Sequence, residues 1–186
     1  MINFEEFSKL VLTRRTNLVV DKDRSLDPGV LEKLCELAMW APNHKLTFPW
    51  VFTAVTGDAR ARLSNVAADA MAREGDTPAK VDRARTKFQR APVVLVVGTE
   101  VGDTQLRTEE NRDAVAAGIQ NILLGATTLG LASYWSSCPR GANDDVASFC
   151  EFRSGTHITA MIYLGWPQRE APGTMRPPAK VRTITS

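Results

Sequence analysis

Apolar residues recur along this chain at helical spacing in some stretches and at strand spacing in others. Phe4, Phe7, Leu10 and Val11 repeat helically behind Asn3 and Glu6, which have capping-box spacing, and predict a first helix ending near Arg14–Arg15. Asp27 followed by Pro28 is a strong helix start; Val30, Leu31, Leu34, Cys35 and Ala38 then form one face, until Pro42 ends the pattern. Trp50 to Val55 reads as a strand closed by Gly57. Asp58 opens a third helix with Leu63, Val66, Ala67, Ala70 and Met71 inward, and Thr77-Pro78 opens a fourth. The unbroken apolar run Val93 to Val97 suits a strand covered on both faces.

The longest helical pattern runs from about Thr108 to Leu129. Its stripe is Val115, Ile119, Ile122, Leu123 and Ala126, and small residues occupy much of the remaining girth. Such a helix is buried centrally or packs on a partner. Gly130 is its stop. Leu131 to Trp135 and Ile158 to Leu164 predict two more strands, separated by a short helix near Asn143 to Phe149. Beyond Gly165, four prolines (Pro167, Pro172, Pro177, Pro178) bar an ordinary helix, and Val181 to Thr185 alternates like an edge strand. An extended arm of this kind often crosses to another subunit; a loose tail fits the composition equally well. Helices and strands mix without regular βαβ alternation, which predicts an α+β fold with a small sheet flanked by helices.

The chain has 186 residues, enough for one domain with a sizeable core, and residues 1–186 are read as a single domain whose last part, 165–186, is the arm. A net charge of +2 without any Lys/Arg block argues against nucleic acid as a partner. Glu5 and Glu6 stand where a signal peptide needs basic and then apolar residues. No apolar run approaches the roughly 20 residues that span a bilayer. Cys35, Cys138 and Cys150 are widely spaced, with no CxxC pair, so neither a disulfide framework nor a zinc site is indicated, and cytoplasmic residence is the default.

Several chemistries lack their residues. There is no GxGxxG, no HExxH and no GxSxG, and no metal site is expected. Gly125 to Gly130 has P-loop spacing, but Leu131 stands where lysine is needed. His44 and His157 are the only histidines. Cys138 lies beside a Trp-Ser-Ser stretch but has no base partner in sequence, so thiol catalysis is a weak reading.

What remains is a set of separated segments. Pro42 and Pro49 bracket a stiffened loop in APNHKLTFPW, residues 41–50, which holds Asn43, His44 and Lys45 between helix and strand. Arg14-Arg15-Thr16 ends the first helix. Arginines there can cap carbonyls, but two guanidiniums and a hydroxyl also make a phosphate grip. Lys180 and Arg182 form a second cationic pair, and Trp135-Ser136-Ser137 ends a strand with an aromatic followed by two hydroxyls.

Taken in order, RRT at 14–16, APNHKLTFPW at 41–50, TTLGLASYW at 127–135 and YLGWP at 163–167 resemble the nitroreductase family of flavin mononucleotide (FMN) enzymes over nearly the whole chain, in a form like its compact branch. The resemblance implies an α+β sandwich with a small, mostly antiparallel central sheet, forming an intertwined homodimer with exchanged C-terminal arms and FMN at the interface. It implies that Arg14, Arg15 and Thr16 contact the flavin, with His44 and Phe48 approaching from the other subunit. Trp135, Ser136 and Ser137 would line the same cofactor, and Lys180 and Arg182 would meet its phosphate. NADH or NADPH would deliver hydride in a ping-pong scheme, and a small-molecule acceptor such as a nitroaromatic or a quinone would then take it. No catalytic acid–base residue is required; a proton-donating or substrate-orienting role for His44 stays open. Thr16 stands where many relatives have Ser, Leu46 where Asn is frequent, Phe48 where Gln is common and Ser136 where some have Arg. These departures weaken flavin contacts and leave a non-catalytic flavin-binding module as the alternative.

Overall fold

A computed structural model describes residues 3–185. Its helices are α1 (Phe4–Thr13), α2 (Pro28–Met39), α3 (Ala59–Arg73), α4 (Pro78–Ala84), α5 (Gln105–Thr128) and α6 (Asn143–Phe149). Its strands are β1 (Trp50–Thr56), β2 (Val93–Thr99), β3 (Ala132–Ser136) and β4 (His157–Gly165). All seven residues of β2 are buried, as the unbroken apolar run predicts. The sheet order is β1-β2-β4-β3 and every neighbouring pair is antiparallel.

Alternation divides the core. Val93, Leu95 and Val97 of β2, with Ala160, Ile162 and Leu164 of β4, pack under α2 and α5. Val94 and Val96, with Ile158, Met161 and Tyr163, pack under α3 and α6. The register slips between Val97 and Gly98, so that β4 carries one extra residue, Thr159. Such a bulge leaves a residue outside the ladder and re-aims its neighbours. Here the carbonyl of Thr159 accepts a hydrogen bond from Trp135 Nε1 at 3.4 Å, across β3.

The caps explain where helices begin. Asn3 Oδ1 accepts from Glu6 N at 2.9 Å and the Glu6 carboxylate accepts from Asn3 N at 3.0 Å, completing the capping box. Asp27 Oδ1 accepts from Gly29 N at 2.7 Å, with Pro28 in the first turn of α2. Helix α5 begins three residues before the apolar stripe suggests, because Thr104 Oγ1 caps Arg107 N at 3.1 Å. The short helix α6 has the bounds that the sequence predicts.

The arm departs from expectation. Its first part is zipped along residues 17–21: Asp21 N donates to Trp166 O at 2.9 Å, Gln168 N to Val19 O at 3.0 Å, and Asn17 Nδ2 to Arg169 O at 2.9 Å. From Pro172 to Thr185 the chain is exposed, and the edge strand expected at 181–185 does not form. The open edge of β3 is occupied instead by a parallel bridge between Thr16 and Ser133.

Helix α1 touches the body of the chain only lightly, through α5. Its stripe predicts an amphipathic helix, yet it buries no residue, and Phe4, Phe7, Val11 and Leu12 all lie exposed. Trp40, Leu46, Phe48, Leu106 and Leu129 are exposed as well.

His157, at the start of β4, is half-buried, and burial, reinforced by Arg112, lowers its pKa below the usual 6.5. The folded chain therefore favours neutral imidazole, and the unfolded chain binds the proton more readily. Stability is expected to be complete above pH 6.5 and to fall as pH drops below it. Thermal melts from pH 8 to pH 5 check this, because His157→Gln should flatten the part of the slope just below pH 6.5.

Candidate functional site

Arg14, Arg15 and Thr16 leave the end of α1 and run beside β3. Asn17 N donates to Ser133 O at 3.0 Å and fixes their register. The two arginines differ. Arg15 folds back: its Nη1 donates to Leu12 O and to Arg14 O, satisfying carbonyls that α1 leaves open. Its Nε is buried without a partner. The half-buried Arg14 guanidinium makes no hydrogen bond or ion pair among the described residues. Beside this segment lies an open cavity of about 630 Å³, lined by Arg15, Asn17, Thr127, Ala132, Gln168 and Arg169 among others. That volume falls within the range of small-molecule sites, roughly 300–1,000 Å³.

Trp135 and Ser136 are adjacent on β3 and so face opposite sides of the sheet. Trp135 pairs with Ile162 on the α5 side, half-exposed and steered by the Thr159 carbonyl. Ser136 pairs with Met161 on the α3–α6 side, is buried, and donates its hydroxyl to Ser137 O at 3.2 Å. The serine hydroxyl is thus not offered on the face that Trp135 occupies. Ser137, just past the strand, is exposed.

His44 and Phe48 lie elsewhere. Their loop, between α2 and β1, has left-handed φ angles at Lys45 (64°), Leu46 (52°) and Phe48 (49°), which are unfavourable for side-chain-bearing residues and persist only where the surroundings enforce them. Asn43 supplies that enforcement. Its Oδ1 accepts from Phe48 N at 2.8 Å and its Nδ2 donates to Thr47 Oγ1 at 3.0 Å. Thr47 Oγ1 in turn donates to Oδ1 of the buried Asn111 on α5 at 2.7 Å. His44 Nδ1 lies 2.8 Å from Glu110 Oε1, and Arg107 Nη1 donates to Glu110 Oε2 at 2.6 Å. The hydrogen bond from His44, with Arg107 and Lys45 close by, holds the Glu110 carboxyl below the usual carboxylate range.

The ten residues singled out from sequence therefore occupy three places. Arg14, Arg15 and Thr16 share the β3 side with Trp135, Ser136 and Ser137. His44 and Phe48 sit near the start of α5. Lys180 and Arg182 lie on the exposed arm with no partner among the described residues. His44 is tied to Glu110, whereas the Arg15 cavity reaches Thr127, seventeen positions further along α5. At 1.5 Å per residue Glu110 and Thr127, the α5 residues beside the His44 loop and the Arg15 cavity, are roughly 25 Å apart.

Asn43 is the organiser of the loop, a role its neighbours in sequence do not reveal. Glu110 and Arg107 read in sequence as an ordinary helix-surface ion pair, and nothing there links them to a loop more than sixty residues earlier. The cysteines are inert: burial pushes Cys138 and Cys150 up to about 12 and Cys35 up to about 11, so none supplies thiolate near neutral pH. Among the described residues no group of three or more His, Cys, Asp or Glu side chains is placed to hold a metal ion, and no helix is long and apolar enough to cross a membrane.

An antiparallel sheet between helical layers, with a cationic segment and a cavity along one edge, makes this an α+β protein with a candidate small-molecule site at that edge. The sequence model of the Nitroreductase family matches residues 11–166, and the chain belongs to that family. The Escherichia coli (strain K12) protein named "Putative NAD(P)H nitroreductase YdjA" is 26% identical over 157 residues, which cover 83% of this chain and 85% of that protein. The crystal structure of a nitroreductase-like family protein from Bacillus cereus superposes with a TM-score of 0.80 at 24% identity, covering 96% of this chain and 94% of the other. A nitroreductase with bound FMN from Bacteroides fragilis NCTC 9343 gives 0.72 at 22% identity, with 97% of each chain covered. At these identities the two structures establish the shared fold.

Proposed function

We propose that the protein is an FMN-dependent oxidoreductase that uses NADH or NADPH to reduce electron-poor small molecules such as nitroaromatics and quinones, by a ping-pong scheme. It works as a homodimer that holds FMN between its subunits. Family membership supports the chemistry. The separation of the two halves of the site along α5 supports the assembly, and it is the observation that carries this reading. One chain cannot bring both halves to one flavin. A second chain with its α5 antiparallel to the first sets the His44 loop of each subunit against the arginine segment of the other.

The residues present fit the cofactor. Arg15, whose Nε is unpartnered, lines a cavity of suitable size, and Arg14, next to it in the chain, keeps its guanidinium free among the described residues. FMN, when bound, supplies the relay of hydride from nicotinamide to acceptor. Arg14, Arg15 and Thr16 bind its polar parts, and their charge favours electron-rich states of the ring. Trp135 offers a flat apolar surface, and Phe48 packs where a glutamine would donate. Lys180 and Arg182 neutralise phosphate once the arm is laid on a partner. The sixteen residues from Glu170 to Thr185 reach roughly 50 Å when extended, against a radius of gyration of about 16 Å for a chain this long. The uncovered stripe of α1 adds apolar area to the same interface.

Titration with FMN followed by sedimentation tests this reading. The expected particle is a dimer carrying two FMN, and free FMN at 100 times its Kd should stabilise it by about 2.7 kcal/mol, seen as a higher melting temperature. A monomer that binds FMN tightly would contradict the interface. A dimer that binds FMN but turns over with neither nicotinamide would make the protein a flavin-binding module, the reading that the non-donating Phe48 favours.

A further inference from the structure

His44 has two polar neighbours at Nδ1, and they make incompatible demands. Glu110 Oε1 lies at 2.8 Å and Arg107 Nη1 at 3.2 Å. Arginine has only donors to offer, and an ionised carboxylate has only acceptors. If Nδ1 accepted from Arg107, its lone pair would face a carboxylate oxygen at 2.8 Å. If Nδ1 carries the proton, the short contact to Glu110 is a charge-assisted hydrogen bond, and Arg107 is satisfied by Glu110 Oε2 at 2.6 Å. The second arrangement leaves two donors, Nδ1–H and Arg107 Nη1, 3.2 Å apart, a longer and weaker conflict than a lone pair against a carboxylate oxygen at 2.8 Å, so Nδ1 holds the proton. Nε2, on the far side of the ring, has no partner among the described residues, and the side chain is more than half exposed.

The rest of the surroundings are charged but differently directed. Lys45 stands next to His44 on the same loop, and it shares a hollow with Arg107, Glu100 and Asp103. Glu110 is the acidic group in direct contact with the ring, and Lys45 and Arg107 are the cations nearest to it. The loop itself is locked by Asn43, Thr47 and Asn111, so the ring is presented from a fixed base.

We propose that Glu110 and Arg107 are positioning residues that fix His44 with Nδ1–H turned inward, and that His44 Nε2 delivers the second proton to the acceptor across the subunit interface. This inference rests on the oxidoreductase reading above. For a quinone acceptor, a hydride originating in the nicotinamide brings two electrons and one proton. The Nε2–H bond of the imidazolium breaks as the O–H bond of the hydroquinone forms, which completes the second proton. His44 is left neutral, still protonated at Nδ1 and bonded to Glu110, and recovers its Nε2 proton from solvent.

Imidazole ¹⁵N NMR on the apo-protein tests the positioning without any flavin, since the chain has two histidines and His157 serves as internal control. Neutral His44 is expected to carry its proton on Nδ1 in the native chain and to shift to Nε2–H in Glu110→Ala, with His157 unmoved. In the FMN-loaded enzyme, Glu110→Gln keeps an acceptor oxygen but removes the charge. The kcat for quinone reduction should then fall by roughly tenfold or more with KM little changed, while flavin reduction by nicotinamide keeps its rate. Native His44 found as the Nε2–H form, or a kcat for quinone reduction that does not fall in Glu110→Gln, would overturn the proposal. A chain that takes up no FMN overturns both the oxidoreductase reading and the proton delivery, and the tautomer result separates that failure from a failure of the positioning.

Discussion

Replacing Gly118 with valine is expected to cost at least about 3 kcal/mol of stability. Gly118 lies on the buried face of α5, where the helix crosses α2 and β1. A Cβ there would stand 2.6 Å from Trp50 Nε1, 2.8 Å from the Ala38 carbonyl oxygen and 3.2 Å from Ala38 Cβ. The carbonyl belongs to the backbone of α2, and the indole is buried, so neither moves without the helix. Valine adds two methyl groups beyond that Cβ. The modest gain in helix propensity over glycine, under ~1 kcal/mol, does not offset the clash. For a chain of this size each kcal/mol lowers Tm by about 2–4 °C, so a fall of roughly 6–12 °C should appear in a circular dichroism melt. Gly118→Ala should fall between the two, and Gly173→Ala, with open space around it, should be neutral.

The second large effect concerns the cofactor. Arg14→Ala is expected to weaken FMN binding by roughly 10- to 100-fold, the range for losing a hydrogen bond between charged groups, about 1.5–3 kcal/mol. Its guanidinium has no partner among the described residues, so the apo-protein should keep its melting temperature. Arg15→Ala differs in kind. It strips Leu12 O and Arg14 O of their donor and should lower both FMN affinity and stability. Arg14→Lys should recover only part of the affinity, because a lysine ammonium lacks the planar fork. Isothermal titration with FMN, paired with apo-protein melts, separates the two arginines.

Much of the fold was legible because its cues are local. The capping box at Asn3, the Asp27-Pro28 start and the apolar run of β2 each carry their structure within a few residues. The start of α5 was misplaced because the first turns, Gln105 to Arg112, lack the apolar stripe; the cap at Thr104 was the better marker. The arm shows a different limit. Val181 to Thr185 has the alternation of a strand, but a strand needs an edge, and β3 already gives its own to Thr16. The amphipathic pattern of α1 predicts the helix that forms, and only the structure shows that Phe4, Phe7, Val11 and Leu12 face out.

The candidate site was partly legible. The arginine segment does run along the β3 edge, tied to Ser133 through Thr16 and Asn17, but among the described residues no contact joins Arg14 or Arg15 to Trp135. Ser136 was grouped with Trp135 by adjacency, although strand geometry turns neighbours to opposite faces. The left-handed residues of the His44 loop have no sequence signature, since Lys, Leu and Phe are not the residues that favour such angles. Glu110 and Arg107 could be joined to His44 only in space.

The most direct test of the central claim is an anaerobic absorbance spectrum of the FMN-loaded protein, before and after addition of NADPH or NADH and then of a quinone or nitroaromatic. A bound flavin band is expected to bleach with a nicotinamide and to return when the acceptor is added. A bound band that neither nicotinamide bleaches, or a protein that holds no flavin at all, would contradict it.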